Sequence, residues 1–251
     1  MKLKTEQEIE ILAEGGHLLA EILVKLAAMC QAGVSAADLN AEAEKLIREA
    51  GAEPSFKNFG PIGQEFPASL CVSPNEMLVH GIPRKELVFK EGDLVGLDLG
   101  MKYKGLFTDH AVTVGVGKIS DEAKKLLEVT EECLRLGIIA AQPGKKVGDI
   151  GAAVQQYAEG LGYGVVRALT GHEVGYAVHE DLRVPNYGEA GTGATLEPGL
   201  VIAIEPMINI GTHEVLTASD GWGIVTADNS LSAHFEHTVA ITKDGPRILT
   251  K

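Results

Sequence analysis

Gly92-Asp93-Leu94-Val95-Gly96-Leu97-Asp98, followed by Asp109-His110-Ala111-Val112-Thr113-Val114, decides how this chain folds, because both segments return later in altered form. Gly199-Leu200-Val201-Ile202-Ala203-Ile204-Glu205 matches the first, and Glu236-His237-Thr238-Val239-Ala240-Ile241 matches the second. Each is a short apolar run with an acid at one end, the composition of a strand. Upstream of each strand pair lies a further match, Gly33-Val34-Ser35-Ala36-Ala37-Asp38-Leu39-Asn40-Ala41 against Gly144-Lys145-Lys146-Val147-Gly148-Asp149-Ile150-Gly151-Ala152. Both of these run on helically to a glycine, Gly51 or Gly162, and each follows a helical segment near 6–31 or 120–141. Ser35 with Asp38 three residues on reads as a helix N-cap, the hydroxyl meeting free backbone N–H groups. Recurrence in one order reads as a duplication. One domain is expected over 1–251, its first half about 1–118 and its second about 119–251. The fold class is α+β, two pseudo-symmetric halves with helices packed on one face of curved, largely antiparallel strands.

Composition narrows the functional classes. Among 251 residues, 22 Lys and Arg stand against 35 Asp and Glu, a formal charge of −13, while 45% are hydrophobic. A chain so acidic repels phosphate backbones, so nucleic acid is not the expected partner, whereas metal ions and the ammonium group of a peptide are tolerated. Cys30, Cys71 and Cys133 are far apart and form no CxxC pair, which excludes a disulfide framework or a zinc finger. The N-terminus leads into a charged amphipathic segment, and no apolar run approaches the roughly 20 residues of a membrane span. The expected address is the cytoplasm, with no membrane partner.

The recurring acids carry the chemistry. With the hairpin centred on Tyr103-Lys104, Asp98 and Asp109 would sit directly opposite each other, where like charges destabilise. Glu205 and Glu236 repeat the problem, and few basic residues lie near any of the four in sequence. An unpaired buried carboxylate is costly, and two divalent cations would offset four such charges almost completely. Oxygen ligands with an imidazole suit Mn, Fe(II), Co or Zn, and oxygen-rich sites also take Mg.

Histidines stand in distinctive settings at Val79-His80-Gly81-Ile82-Pro83, Gly171-His172-Glu173-Val174-Gly175 and Val178-His179-Glu180-Asp181. No HExxH, Walker A, GxGxxG or GxSxG pattern occurs. His172 and His179 are seven apart, which on a regular strand sends them to opposite faces. They share a site only if the chain bends, and Gly175 permits that. His17, His110, His213, His234 and His237 read mostly as surface or packing residues.

Those histidine segments, together with Gly96-Leu97-Asp98-Leu99, Phe107-Thr108-Asp109, Ala203-Ile204-Glu205-Pro206 and Leu231-Ser232-Ala233-His234-Phe235-Glu236-His237-Thr238, resemble type I methionine aminopeptidases nearly end to end. The resemblance implies the pita-bread (creatinase/aminopeptidase-like) fold around a dinuclear metal site, with the whole chain as one catalytic domain. It implies that Asp98 binds one divalent ion, that His172 with Glu205 binds the other, and that Asp109 and Glu236 bridge the pair. His80 and His179 match non-ligand histidines that contact substrate and the developing transition state. Phe66, Cys71 and Trp222 fall where the methionine pocket is lined. Three positions depart from the family pattern: Glu173 follows His172 where glycine is usual, Val178 replaces a larger side chain, and Val79 stands where cysteine is common. These imply changes in pocket shape or metal affinity.

The implied reaction is metal-assisted removal of N-terminal methionine from peptides and nascent proteins, with a small second residue preferred. Glu205 is the expected proton shuttle, and His179 the hydrogen-bond donor to the forming oxyanion. A monomer that touches the ribosome only transiently is expected. Rival readings are a Xaa-Pro aminopeptidase or dipeptidase of the same fold, or a catalytically silent binding protein. The first usually carries a large N-terminal domain, while only about 50 residues precede the first site segment here. The second would have lost metal ligands.

Overall fold

The computed structural model describes residues 1–251. Helices α1 (Glu6–Met29) and α2 (Ala36–Glu49) lead to β1 (Glu53–Pro54), β2 (Leu70–Pro74) and β3 (Met77–Val79), then to the long hairpin of β4 (Leu94–Tyr103) and β5 (Leu106–Gly115). A second helix pair, α3 (Asp121–Ala140) and α4 (Val147–Gly160), precedes the short strands β6 (Gly164–Val165), β7 (Gly171–His172) and β8 (Arg183–Val184). The chain ends through β9 (Val201–Ile204), β10 (Met207–Asn209), β11 (Val215–Thr217), β12 (Ile224–Thr226), β13 (Ser232–His234), β14 (Glu236–Thr242) and β15 (Gly245–Ile248).

Local chemistry sets the helix starts. Thr5 and Glu8 cap α1 reciprocally, and the Ser35 hydroxyl accepts from the Asp38 N–H at the head of α2. At the head of α4 the Asp149 carboxylate accepts from the Lys146 N–H at 2.7 Å, so the acid does the capping where the N-cap side chain does not. Gly51 and Gly162 follow α2 and α4 with φ of 73° and 87°, left-handed stops that continue no helix.

The main sheet runs β1-β4-β5-β14-β15, with β2 also on β4 and β9 also on β14, every pair antiparallel. Period-two alternation sorts its side chains. On β4, Val95, Leu97, Leu99 and Met101 pack against Leu19, Leu23 and Leu26 of α1 and Leu39 and Ile47 of α2. On β9 and β14, Ile202, Ile204, Val239 and Ile241 pack against Leu134 and Ile138 of α3 and Ile150 of α4. The side chains between them, including Asp98 and Glu236, turn to the other face.

The hairpin register differs from the sequence expectation. Lys104 and Gly105 both have positive φ, 48° and 87°, and close a two-residue turn with Tyr103 opposite Leu106. This left-handed pair matches the twist of the flanking strands. Centring the turn on Lys104-Gly105 pairs Asp98 with Ala111 and Asp109 with Gly100. The two aspartates therefore share a face as diagonal neighbours rather than as a direct pair. Gly100 leaves room on that face: a Cβ there would come within 2.5 Å of the Phe56 ring.

Candidate active site

One rung across three strands starts the site. Asp98 on β4 faces Ala111 on β5, and Ala111 faces Glu236 on β14, so two acids flank a small side chain. Asp109, two residues before Ala111, shares its face, and Thr238 of β14 fixes the Asp109 backbone by accepting from its N–H (2.9 Å) and donating to its carbonyl (2.8 Å). Glu205 lies one residue beyond the β9–β14 ladder, which ends on Ile204 opposite His237, and so arrives beside Glu236.

The histidines come from a bent segment. Strand β7 stops at His172, and Gly175, with φ of 136°, turns the chain back. The His172 and His179 rings thereby meet edge to face, centroids 4.3 Å apart, despite their odd spacing. His172 Nε2 lies 3.5 Å from Glu205 Oε1 and 4.0 Å from Asp109 Oδ2. His179 is exposed at the mouth, where its other flank meets the Phe59 ring at 5.1 Å. His80, at the end of β3, adopts φ of 59° and also faces the cavity. Candidate ligand atoms within 4.8 Å of one another fall into three overlapping groups: Asp98, Asp109 and Glu236; His172, Glu205 and Glu236; and Asp109, His172 and His179.

Electrostatics explains what this cluster lacks. All ionic contacts of Asp109, Glu205 and Glu236 are with histidine, and neither Lys nor Arg pairs with any of the four acids. Burial, and then its like-charged neighbours Asp109 and Glu205, push the Asp98 carboxyl well above the usual range. Burial and the Glu205 charge raise Asp109 to about 7. Burial alone raises Glu205 to about 8, and burial followed by the Asp109, Glu205 and Asp98 charges lifts Glu236 well up. Burial also holds His172 down at about 3 and His80 at about 4. Asp98 Oδ1 and Glu236 Oε1 are buried without any hydrogen-bond partner. Carboxylates that are close, desolvated and unpartnered need positive charge. Carboxylate oxygen with imidazole nitrogen fits a divalent ion of the Mn, Fe(II), Co or Zn kind.

Beside the acids lies a cavity of about 480 Å³, lined on its polar side by the cluster and on its apolar side by Phe56, Phe59, Phe66, Cys71 and Trp222. Phe66 and Trp222 meet edge to face at 5.2 Å. Burial drives the Cys71 thiol well above its ordinary pKa, so it behaves as an apolar wall. All ten sequence-derived candidates, Asp98, Asp109, His172, Glu205, Glu236, His80, His179, Phe66, Cys71 and Trp222, line this one cavity. Val79 lines it too, and Val178 packs behind it with Phe56, Phe66 and Cys71.

Glu173 does not enter the cavity. Its carboxylate accepts from the Lys2 N–H at 2.6 Å and lies 3.4 Å from the buried Lys4 ammonium, which also meets Glu180 at 2.8 Å. The departure from glycine beside His172 thus ties the N-terminal residues to the histidine loop. His17 and His213 are surface residues, and His110 and His237 stack at 4.6 Å. His234 is the exception among the histidines read as bland. It is buried with Nε2 3.5 Å from Glu205 Oε2 and 3.9 Å from Glu236 Oε2. Its spacing of two from Glu236 was the available signal, since strand alternation puts both on one face. Phe56 and Phe59 had no such signal, because they reach the cavity from an irregular loop.

Comparison with known proteins gives the family. The sequence pattern of metallopeptidase family M24 matches residues 10–243. A methionine aminopeptidase of Clostridium acetobutylicum is 46% identical over 248 residues, covering 99% of this chain and 98% of that one. The crystal structure of a methionine aminopeptidase from Thermotoga maritima superposes with a TM-score of 0.96 at 41% identity, covering 100% and 99%. The prolidase from Pyrococcus horikoshii superposes with a TM-score of 0.79 at 25% identity, and this chain spans 63% of its length.

Proposed function

The chain belongs to metallopeptidase family M24 and has its pita-bread fold, and from that premise we infer its reaction: it is a methionyl aminopeptidase, hydrolysing N-terminal methionine from peptides and proteins. The observation that carries the reading is the convergence of four carboxylates and His172, without a basic partner, on one wall of a cavity whose other wall is apolar.

Two divalent ions fit the donor set, Co, Mn, Fe(II) or Zn among them. Asp98 would hold one, His172 and Glu205 the other, with Asp109 and Glu236 shared. Among the four acids only Asp109 and Glu236 belong to two of the ligand groups, which supports that sharing. When bound, such ions supply Lewis acidity and bring the pKa of water toward neutral. Glu205 takes the proton of the attacking water and delivers it to the leaving nitrogen. His179, exposed at the mouth where a peptide would enter, donates to the carbonyl oxygen as it becomes tetrahedral. His80, which lines the same cavity, contacts the bound peptide. Phe66, Cys71 and Trp222 enclose the methionine side chain, whose polarisable sulfur suits aromatic edges. A small second residue is preferred, and nascent chains are the physiological substrate, in protein maturation.

No helix is long and apolar enough to cross a membrane. We place the protein in the cytoplasm as a monomer of one catalytic domain built from two related halves, meeting the ribosome transiently and binding no nucleic acid. Peptide hydrolysis across a metal series tests the reading. Methionine should be released from Met-Ala-Ser, while Ala-Pro-type peptides stay intact. Cleavage of the latter instead would place the chain with the prolidase-like enzymes of its fold.

A further inference from the structure

His234 is buried against the metal-binding wall, beside Glu205 and Glu236. Its backbone is fixed from both sides by one residue of β5: its N–H donates to the Thr113 hydroxyl at 2.9 Å, and its carbonyl accepts from that hydroxyl at 2.8 Å. With the main chain held on the strand that carries Asp109, the ring reaches into the acid cluster. There Nε2 is buried and makes no hydrogen bond, although it lies 3.5 Å from Glu205 Oε2 and 3.9 Å from Glu236 Oε2. A buried ring N–H left unpaired costs about 1–3 kcal/mol, so a closed contact with one of these oxygens is favoured.

The two oxygens of Glu205 face different imidazoles. Oε1 faces His172 Nε2 and Oε2 faces His234 Nε2, each at 3.5 Å. His172 occurs in two of the ligand groups, while His234 occurs in none. The two imidazoles thus meet different oxygens of one carboxylate, and of the two only His172 shares a ligand group with Glu205.

We propose that His234 is a positioning residue, donating its Nε2–H to Glu205 Oε2 and so presenting Oε1 to the metal and to the proton being moved. Metal-binding carboxylates are themselves commonly held by hydrogen bonds, and loss of such a partner typically lowers metal affinity 10–100-fold. Without the donor, Glu205 can rotate and offer either oxygen. The proposal rests on the metal-centre reading above, and it extends that reading to which face of Glu205 does the work.

The test uses full-length protein stripped of metal, with Mn(II) affinity measured by calorimetry for wild type, His234→Leu and His234→Gln, and kcat and KM on Met-Ala-Ser for the reloaded proteins. His234→Leu should bind Mn(II) about 10–100-fold more weakly and lose kcat with KM nearly unchanged. His234→Gln, whose amide can supply a donor from a similar place, should recover most of the affinity. Wild-type affinity in His234→Leu overturns the proposal. So does a His234→Gln variant as weak as His234→Leu, because then the imidazole itself, as ligand or as packing, is what matters. Unfolding temperatures of the metal-free variants separate a misfolded protein from a weakened site. The affinity comparison needs no substrate, so failure of the methionine reading leaves it intact.

Discussion

Glu236 and His179 mark opposite ends of the site, and their loss should be felt differently. Glu236 belongs to both the Asp98–Asp109 group and the His172–Glu205 group. Glu236→Ala should therefore lose bound metal, and elemental analysis showing unchanged content would remove it from the bridging role. His179 stands at the mouth with one flank against His172. His179→Ala should keep its metal and lose on the order of 100-fold in kcat, as when one oxyanion donor is removed. Full turnover in that variant would take His179 out of the mechanism. At this scale the acids were legible because each ends or opens an apolar run where a surface acid has no reason to be. His234 offered only its spacing of two from Glu236, which puts it on the acid's face but does not say whether it packs or donates.

Elements bring these residues together, and the least expected one is the N-terminal segment before α1. Lys4 is buried between Glu173 and Glu180, and its methylene chain fills the place that a Cβ on Gly175 would need. Its ammonium also lies 4.9 Å from the centroid of the Tyr176 ring. Residues 1–5 thus strap down the bend that carries His172 and His179. Lys4→Met leaves the buried carboxylate of Glu180 without a cation and Glu173 with only the Met1 ammonium at 3.9 Å, a loss of about 3–5 kcal/mol. Thermal unfolding should drop by roughly 10 °C for a chain of this length, and an unchanged midpoint would show that the strap holds nothing. Helices and strands were largely readable: the segment near 6–31 is α1 and the one near 120–141 is α3. The bend at Gly175 was readable too, from the odd spacing of two histidines. The hairpin register was misjudged because Lys104 takes the left-handed conformation more often left to glycine, which moves the turn along the chain. The strap could not be read at all, since nothing in the sequence near Lys4 points to partners some 170 residues away.

Across the whole molecule, the acid cluster should govern how stability changes with pH. Asp109 and Glu205 titrate at about 7 and about 8 when folded, from ordinary values of 3.8 and 4.5, and Asp98 and Glu236 shift the same way. The protons leave such a cluster as a set. Because the folded form holds protons that the unfolded form has already lost, this contribution is fully present below the unfolded pKa values and disappears as pH rises through the folded ones. The buried histidines act oppositely. His80, His110, His172, His234 and His237 have depressed folded values, so their contribution is present above the ordinary 6.5 and lost as pH falls toward about 3 to 4. Between pH 6.5 and 8 only the carboxyl effect remains, and the metal-free protein should become less stable as pH rises. Denaturant unfolding that is flat or rising over that window would contradict the raised carboxyl values. Added divalent ions should reverse the trend, because they displace the protons the cluster retains. The most direct measurement is calorimetric titration of the metal-free protein with Mn(II) at pH 7 in buffers of different ionisation enthalpy. Saturable binding with release of protons, abolished in Glu236→Ala, is the predicted result. A protein that releases methionine from Met-Ala-Ser while binding no divalent ion would contradict the account at its root.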